Sequence, residues 1–383
     1  MIIGIDGRAA NTPKPLGAAV YCRELIGALA GLCGPPALRV YLDAPPLNDF
    51  PACADAVDIR VLPRARLWTE RRLGPELRRD PPDVFLGPVQ RFPLRCPCPA
   101  VVTHHGLVYV ERAGSGDLEA AECLSIPQRI NRAITLWLIA RFADHVLVVS
   151  KDSKQLLARF SHIPPERISV TYHACSHNFY PRSGTQEIAT LRGKFDLPER
   201  YILYTGRLGP RKNVVRTIEA FAMLRERRPD LPHRLVLAGE REWSAQPIIE
   251  AAERSPAREF IQFLGHVDRE DMPVLMSCAD TLVLVSLCES FGIPLIEAMS
   301  CGTPVVTANS SAMPEIVGDA ALLADPYDVP AIAAALERVL TDQALRADLK
   351  AKGLERARRF SWVNTASDTL QVLSNVVEAQ PRK

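Results

Sequence analysis

Two glutamates, Glu289 and Glu297, flank the turn Phe291–Pro294 in the stretch S-L-C-E-S-F-G-I-P-L-I-E-A-M-S-C-G-T-P-V-V. A carboxylate at the start of a loop and another one turn into a helix could hold opposite ends of one polar ligand. Pro294 suits the opening of a helix, because its missing N–H would be unpaired there. Gly292 lets backbone approach a ligand closely, and a helix start offers free N–H groups at the positive end of a dipole. From there Glu297 could accept hydrogen bonds from two vicinal hydroxyls, as on a ribose, with Glu289 facing the ligand's other end. Acids near a helix start are also favourable with no ligand, and one glutamate alone would say no more than that. The pair, the turn and the trailing G-T-P-V-V together point to a site.

Three further stretches could do chemistry. In G-R-L-G-P-R-K-N, Gly206 to Asn213, Arg207 and Lys212 could reach one anionic group, the arginine bidentately and the lysine as a point charge. A departing diphosphate needs that neutralisation when no metal supplies it. Two solvated surface cations are the bland alternative. In Val101-Val102-Thr103-His104-His105-Gly106 a histidine follows a strand-like run; two adjacent histidines make no metal site without further ligands. In Lys14-Pro15-Leu16-Gly17-Ala18-Ala19-Val20-Tyr21, Gly17 could bring backbone N–H groups to a phosphate. Neither G-x-G-x-x-G nor G-x-x-x-x-G-K-[ST] occurs in this loop, so dinucleotide binding and P-loop chemistry lose support.

Strands must position these residues. Runs at Ile2–Asp6, Arg39–Leu42, Ile59–Leu62, Val84–Gly87, Ala100–His104, His145–Val149 and Ile168–Tyr172 alternate with helical patterns such as Ala18–Cys33, Ile126–Phe142 and Asp152–Phe160. The pattern restarts after Pro181–Gly184 with strands Tyr201–Thr205, Leu235–Ala238, Phe260–Phe263, Thr281–Val285 and Pro304–Ala308. Strand–helix–strand repetition calls for parallel sheets covered by helices. At 383 residues the chain is long for one core, so two Rossmann-like α/β domains facing a central cleft are expected. Residues 1–183, with 362–383 crossing back, form the first, and 184–361 form the second. In such sheets ligands bind beyond the carboxyl ends of strands, where all four stretches fall.

The totals exclude other classes. The formal net charge is +2, which argues against general nucleic-acid binding. No apolar run is long enough to span a membrane, and Asp6 comes too early for a signal peptide. The ten cysteines lack C-x-x-C spacing, and Cys22, Cys278 and Cys301 sit in apolar patterns, as reduced cytoplasmic thiols would. The segment Arg64–Arg79 holds six arginines against two glutamates. It reads as a solvated helix face, with a membrane surface or an anionic acceptor as the other reading.

Together the four stretches resemble the retaining, metal-independent family-4 glycosyltransferases with the GT-B fold, mannosyltransferases among them. The similarity runs over nearly the whole chain. Its most specific part is the glutamate-x7-glutamate signature met by Glu289 to Val306; G-R-L-x-x-x-K-N, met by Gly206 to Asn213, and Phe360-Ser361-Trp362 at the last helix add to it. The resemblance implies transfer of a hexose, with a tilt towards mannose, from a GDP- or UDP-linked sugar to a glycan or lipid-linked acceptor. No cofactor and no metal are implied. It gives catalytic roles to His105, Glu289, Arg207 and Lys212. Donor binding would use Arg207, Lys212, Gly17, Ser290, Phe291, Gly292, Ile293, Leu295 and Glu297. The acid that usually follows the histidine is Gly106 here, and the stretch before the second domain reads His173-Ala174-Cys175-Ser176. Acceptor choice would lie in the first domain, especially Tyr109 to Ile126. Competing readings are a degenerate GT-B protein that binds sugar nucleotides or a partner without turnover, and a sugar-nucleotide enzyme with a non-sugar acceptor. The implied location is cytoplasmic, at the inner face of the membrane if the acceptor is lipid-linked.

Overall fold

The computed structural model describes all residues except 14–16, 33–36, 49, 52–56, 107–125, 243 and 380–383. Lys14–Leu16 and nearly all of the expected acceptor segment from Tyr109 to Ile126 therefore lie outside the described residues. The chain forms two compact units. The first comprises the described parts of 1–107, 124–173 and 362–383, and the second runs from 174 to 361.

The first unit is built on seven parallel strands: β1 (Ile3–Asp6), β2 (Leu38–Leu42), β3 (Val57–Val61), β4 (Val84–Gly87), β5 (Ala100–His104), β6 (His145–Val148) and β7 (Ile168–Val170). Their order is β3-β2-β1-β4-β5-β6-β7, with Ile3 opposite both Leu38 and Val84. Period-two alternation sends neighbouring residues to opposite faces. Val40 and Leu42 join Ile3, Ile5 and Leu86 in one core with the helix Ala18–Leu32, while Tyr41, Phe85, Val102 and Val148 join Trp68 and Leu77 in the other. Both faces being covered, the strands read as near-continuous apolar runs. The last helix, Trp362–Glu378, places Ala366 and Leu373 in the first of these cores, as expected of a crossing helix.

The second unit carries β8 (Tyr201–Thr205), β9 (Arg234–Ala238), β10 (Ile261–Gly265), β11 (Thr281–Leu284), β12 (Val305–Ala308) and β13 (Ala321–Ala324), all parallel, in the order β10-β9-β8-β11-β12-β13. In each sheet the chain works outward from a central strand and then returns to that strand's other side. The topological switch points, where crevices form, therefore lie between β1 and β4 and between β8 and β11.

Two local readings change. β13 was not expected, because Ala-Leu-Leu-Ala favours helix by propensity; as an edge strand, largely half-buried, it is fixed by pairing with β12. Arg64–Arg79 is not one helix. Leu67 adopts φ 57°, which ends any helix there, and helical turns resume only over Thr69–Leu73 and Gly74–Arg79. Part of its charge is structural, since Arg79 donates to Glu76, which also accepts from Arg60.

Candidate active site

The second switch point gathers most of the expected donor residues. β8 is followed by Gly206, whose φ of 139° favours glycine, and Gly239 lies so close that a Cβ there would stand 1.9 Å from the Gly206 carbonyl oxygen. Chain reversal after β8 presents Arg207, exposed, and then Arg211 and Lys212, both mostly buried. Asn213 follows with φ 57°; instead of capping through its oxygen, its amide donates to the carbonyls of Val285 at 3.0 Å and Pro326 at 2.7 Å. That ties the loop after β8 to the end of β11.

Glu289 follows β11 and lies within this group of cations. Its carboxylate accepts from Lys212 Nζ at 2.5 Å, from Arg211 Nη1 at 2.9 Å and from Ser286 Oγ at 2.7 Å, and its backbone N–H donates to Ser311 Oγ at 3.0 Å. Burial alone would raise this carboxyl. The charges of Arg211 and Lys212 and the hydrogen bonds from Lys212 and Ser286 outweigh burial and bring it down to about 2. Burial also lowers the Lys212 ammonium, with Glu289 opposing it. Arg211 lies within the quoted motif, yet sequence reasoning gave it no role. Its spacing from Arg207 was the available signal.

Glu297 is the opposite case. Gly292, at φ 93°, sets the start of the helix Ile293–Ser300, which has proline in its first two positions. One turn on, the Glu297 carboxylate makes no hydrogen bond or ion pair with any described residue. Burial raises its pKa to about 7, against the pull of Arg269. Two carboxylates that look equivalent in sequence are thus driven apart, one ionised and paired, the other poised and unpaired.

The other donor residues divide. The Leu295 N–H donates to Gly292 O at 2.9 Å, so this expected phosphate donor is already engaged in the helix's first turn. Phe291 is buried edge-on against Phe360, with ring centroids 5.7 Å apart; only its backbone could meet a ligand. Ser290 and Ile293 are half-buried. In the first unit Gly17, at φ 53°, has no atom of a described residue beyond its chain neighbours within 4 Å of where a Cβ would stand.

His105 follows β5 in the first unit. Its Nε2 lies 2.6 Å from the Pro88 carbonyl oxygen, which can only accept, so Nε2 bears the proton. Burial holds the ring neutral, with a pKa of about 4. Nδ1 is then an acceptor for His173 Nε2–H at 3.4 Å. The two imidazoles stack at 5.3 Å and 17°, and Tyr21 meets both edge-on at 4.7 and 4.9 Å. His173, which sequence reasoning noted only as a departure, therefore stacks on His105 and meets its Nδ1, while the Pro88 carbonyl sets the tautomer.

A family model described as "Glycosyltransferase Family 4" matches residues 16–178, and one described as "Glycosyl transferases group 1" matches 188–356. The chain is 40% identical over 230 residues to the O-antigen chain mannosyltransferase B of Escherichia coli, covering 60% of each chain. It is 31% identical over 226 residues to the serotype-specific mannosyltransferase WbdA of Escherichia coli, covering 58% of this chain and 28% of that one. The chain thus spans less than two thirds of the length of either relative. The structure of Anabaena HepE in complex with UDP-glucose superposes with a TM-score of 0.73 over 98% of this chain and 99% of that one, at 21% identity. With its two Rossmann-like parallel-sheet units and these paired signatures, the chain belongs to the family-4 glycosyltransferases of GT-B fold.

Proposed function

We propose that the chain transfers a hexose, with retention and without a metal, from a nucleotide-diphosphate sugar to a glycan or lipid-linked acceptor. The observation that carries this is the charge arrangement at the second switch point. Arg207, Arg211 and Lys212 outnumber the carboxylates Glu289 and Glu242 that act at this point, so positive charge remains to meet a sugar-nucleotide diphosphate. The Glu297 carboxylate, unpaired among the described residues, stands one turn into the helix Ile293–Ser300, suited to the ribose hydroxyls. The cations would take up charge on the departing diphosphate, the largest catalytic contribution expected of this chain. His105, which the resemblance places against the donor sugar, would act as a neutral, locked imidazole. Both E. coli relatives are named mannosyltransferases, which supports mannose; HepE was solved with UDP-glucose, so both GDP- and UDP-linked donors belong in the test.

A thermal-shift and titration panel of GDP-mannose, UDP-glucose and related donors tests this reading. Sugar nucleotides do not titrate near neutrality, so pH acts through the protein. Hydroxyl donors favour the ionised Glu297, whose raised pKa is about 7. Affinity for the preferred donor should rise about tenfold from pH 6 to pH 8 and be flat in Glu297→Gln. No stabilisation by any donor would overturn the assignment.

The reading includes a cytoplasmic location and peripheral contact with an anionic membrane surface. No helix among the described residues is long and apolar enough to cross a membrane. On the helix Ile126–Phe142, Ile130, Ile134 and Trp137 share one exposed face, being 55%, 50% and 61% exposed, and Phe142 lies at its end. The helix sequence holds three arginines and no acid, a composition suited to anionic lipid. Trp137→Asp should abolish co-sedimentation with phosphatidylglycerol vesicles while leaving donor binding intact; equal sedimentation of variant and parent would remove membrane contact through this face.

A further inference from the structure

The switch point of the first sheet has a basic hollow of its own, of about 520 Å³, within the size range of small-molecule sites. It is lined by Arg8, Asp43, Arg64, Trp68, Thr69 and Arg91, with Leu67 at its rim. Arg8 follows β1, Asp43 follows β2, Arg64 follows β3 and Arg91 follows β4, so the four charged groups come from the carboxyl ends of four adjacent strands. No role in donor binding falls on any of them.

The hollow is constructed rather than incidental. Arg8 is held by the buried Asp6, with Nε 2.9 Å from Oδ1 and Nη2 2.6 Å from Oδ2, and Nη2 also donates to Thr69 Oγ1 at 2.9 Å. Its guanidinium stacks 4.1 Å from the centre of the Trp68 ring. Leu67 and Gln90 have positive φ, at 57° and 64°. These are strained conformations for residues other than glycine, and they occur on two of the loops that frame the hollow. Gly87 is packed so closely that a Cβ would come 2.3 Å from the Arg91 carbonyl oxygen, which fixes the turn that presents Arg91.

Charge narrows the ligand. Asp6 offsets Arg8, and Asp43 offsets Arg64 at 3.2 Å. Arg91 has no acidic partner among the described residues. The three guanidiniums and two carboxylates leave +1, enough for one singly ionised oxyanion beside hydroxyls that Asp43 could accept from. From this the geometry points to an acceptor subsite for a sugar that bears one singly charged oxyanion, a phosphodiester or a carboxylate. This rests on the proposed transferase function and names the chemical class of its acceptor.

Calorimetric titration of the full chain tests it with three probes: methyl α-mannoside, a methyl phosphodiester of mannose, and methyl glucuronide. Sugar-nucleotide affinity is measured on the same samples. Either charged probe should bind at least about tenfold more tightly than the neutral one; which of the two does so identifies the source of the charge. The exposed substitutions Arg64→Gln and Arg91→Gln should each remove about tenfold of that preference without changing donor affinity. Equal binding of all three probes, or a preference that survives the double variant, would overturn the subsite while leaving the donor reading intact. Loss of donor binding alone would count against the transferase reading instead.

Discussion

Lys212→Ala should lower the turnover number for sugar transfer about 10²–10³-fold, the magnitude seen when one preorganised stabiliser of transition-state charge is removed. The fold should survive, because Glu289 keeps Arg211 and Ser286 as partners. Without a donor, Lys212 and Arg211 are partly neutralised by Glu289. As the bond from sugar to diphosphate breaks, negative charge grows on the leaving oxygen, and a buried ammonium responds more strongly than a solvated one because its field is less screened. The loss should therefore fall mainly on the turnover number at saturating donor, with a smaller change in donor affinity. Arg207, exposed and outside the Glu289 cluster, should show the reverse balance in Arg207→Ala, with affinity suffering more. Transfer by Lys212→Ala within about threefold of the parent would remove Lys212 from the mechanism.

Much of this organisation is legible in the sequence, for physical reasons. Strands buried on both faces announce themselves as apolar runs, as Tyr201–Thr205 and Thr281–Leu284 do, and glycine and proline mark the turns that follow. Pairings across the sheet are not visible in that way. Nothing local says that Glu289 will accept from Lys212, or that His173 will stack on His105. Each contact joins residues more than sixty positions apart and depends on which strands become neighbours. Environment is equally hidden, and so Glu289 and Glu297 read as a matched pair until burial and neighbouring charge are known. The segment Arg64–Arg79 misleads for a related reason. Its composition suits a solvated helix, but Leu67 takes a backbone conformation that its residue type disfavours, and the sequence alone gives no sign of it.

Glu289→Ala should destabilise the protein by about 3–5 kcal/mol, the usual cost of leaving buried charge uncompensated when one partner of a pair is deleted. In a domain of this size that is roughly a 10 °C fall in the melting temperature, measurable by calorimetry. The sign with pH follows from the depressed carboxyl. Its pKa is about 2 in the fold against an ordinary 4.5, so its contribution is present above 4.5 and disappears as pH falls towards 2. The parent should lose stability across that window, and the variant should lack this part of the loss. A sugar nucleotide supplies negative charge to the same cations, so the preferred donor should stabilise Glu289→Ala more than it stabilises the parent, even as transfer slows. That combination separates a carboxylate that only balances the cations from one that also guides the sugar. A purely balancing role would let Glu289→Gln combined with Lys212→Met recover part of the lost stability, because the Lys212 ammonium is then removed together with its partner and only Arg211 keeps an unmatched charge. Recovered stability with no recovered transfer would show that the ionised pair serves the chemistry and that the fold does not require it.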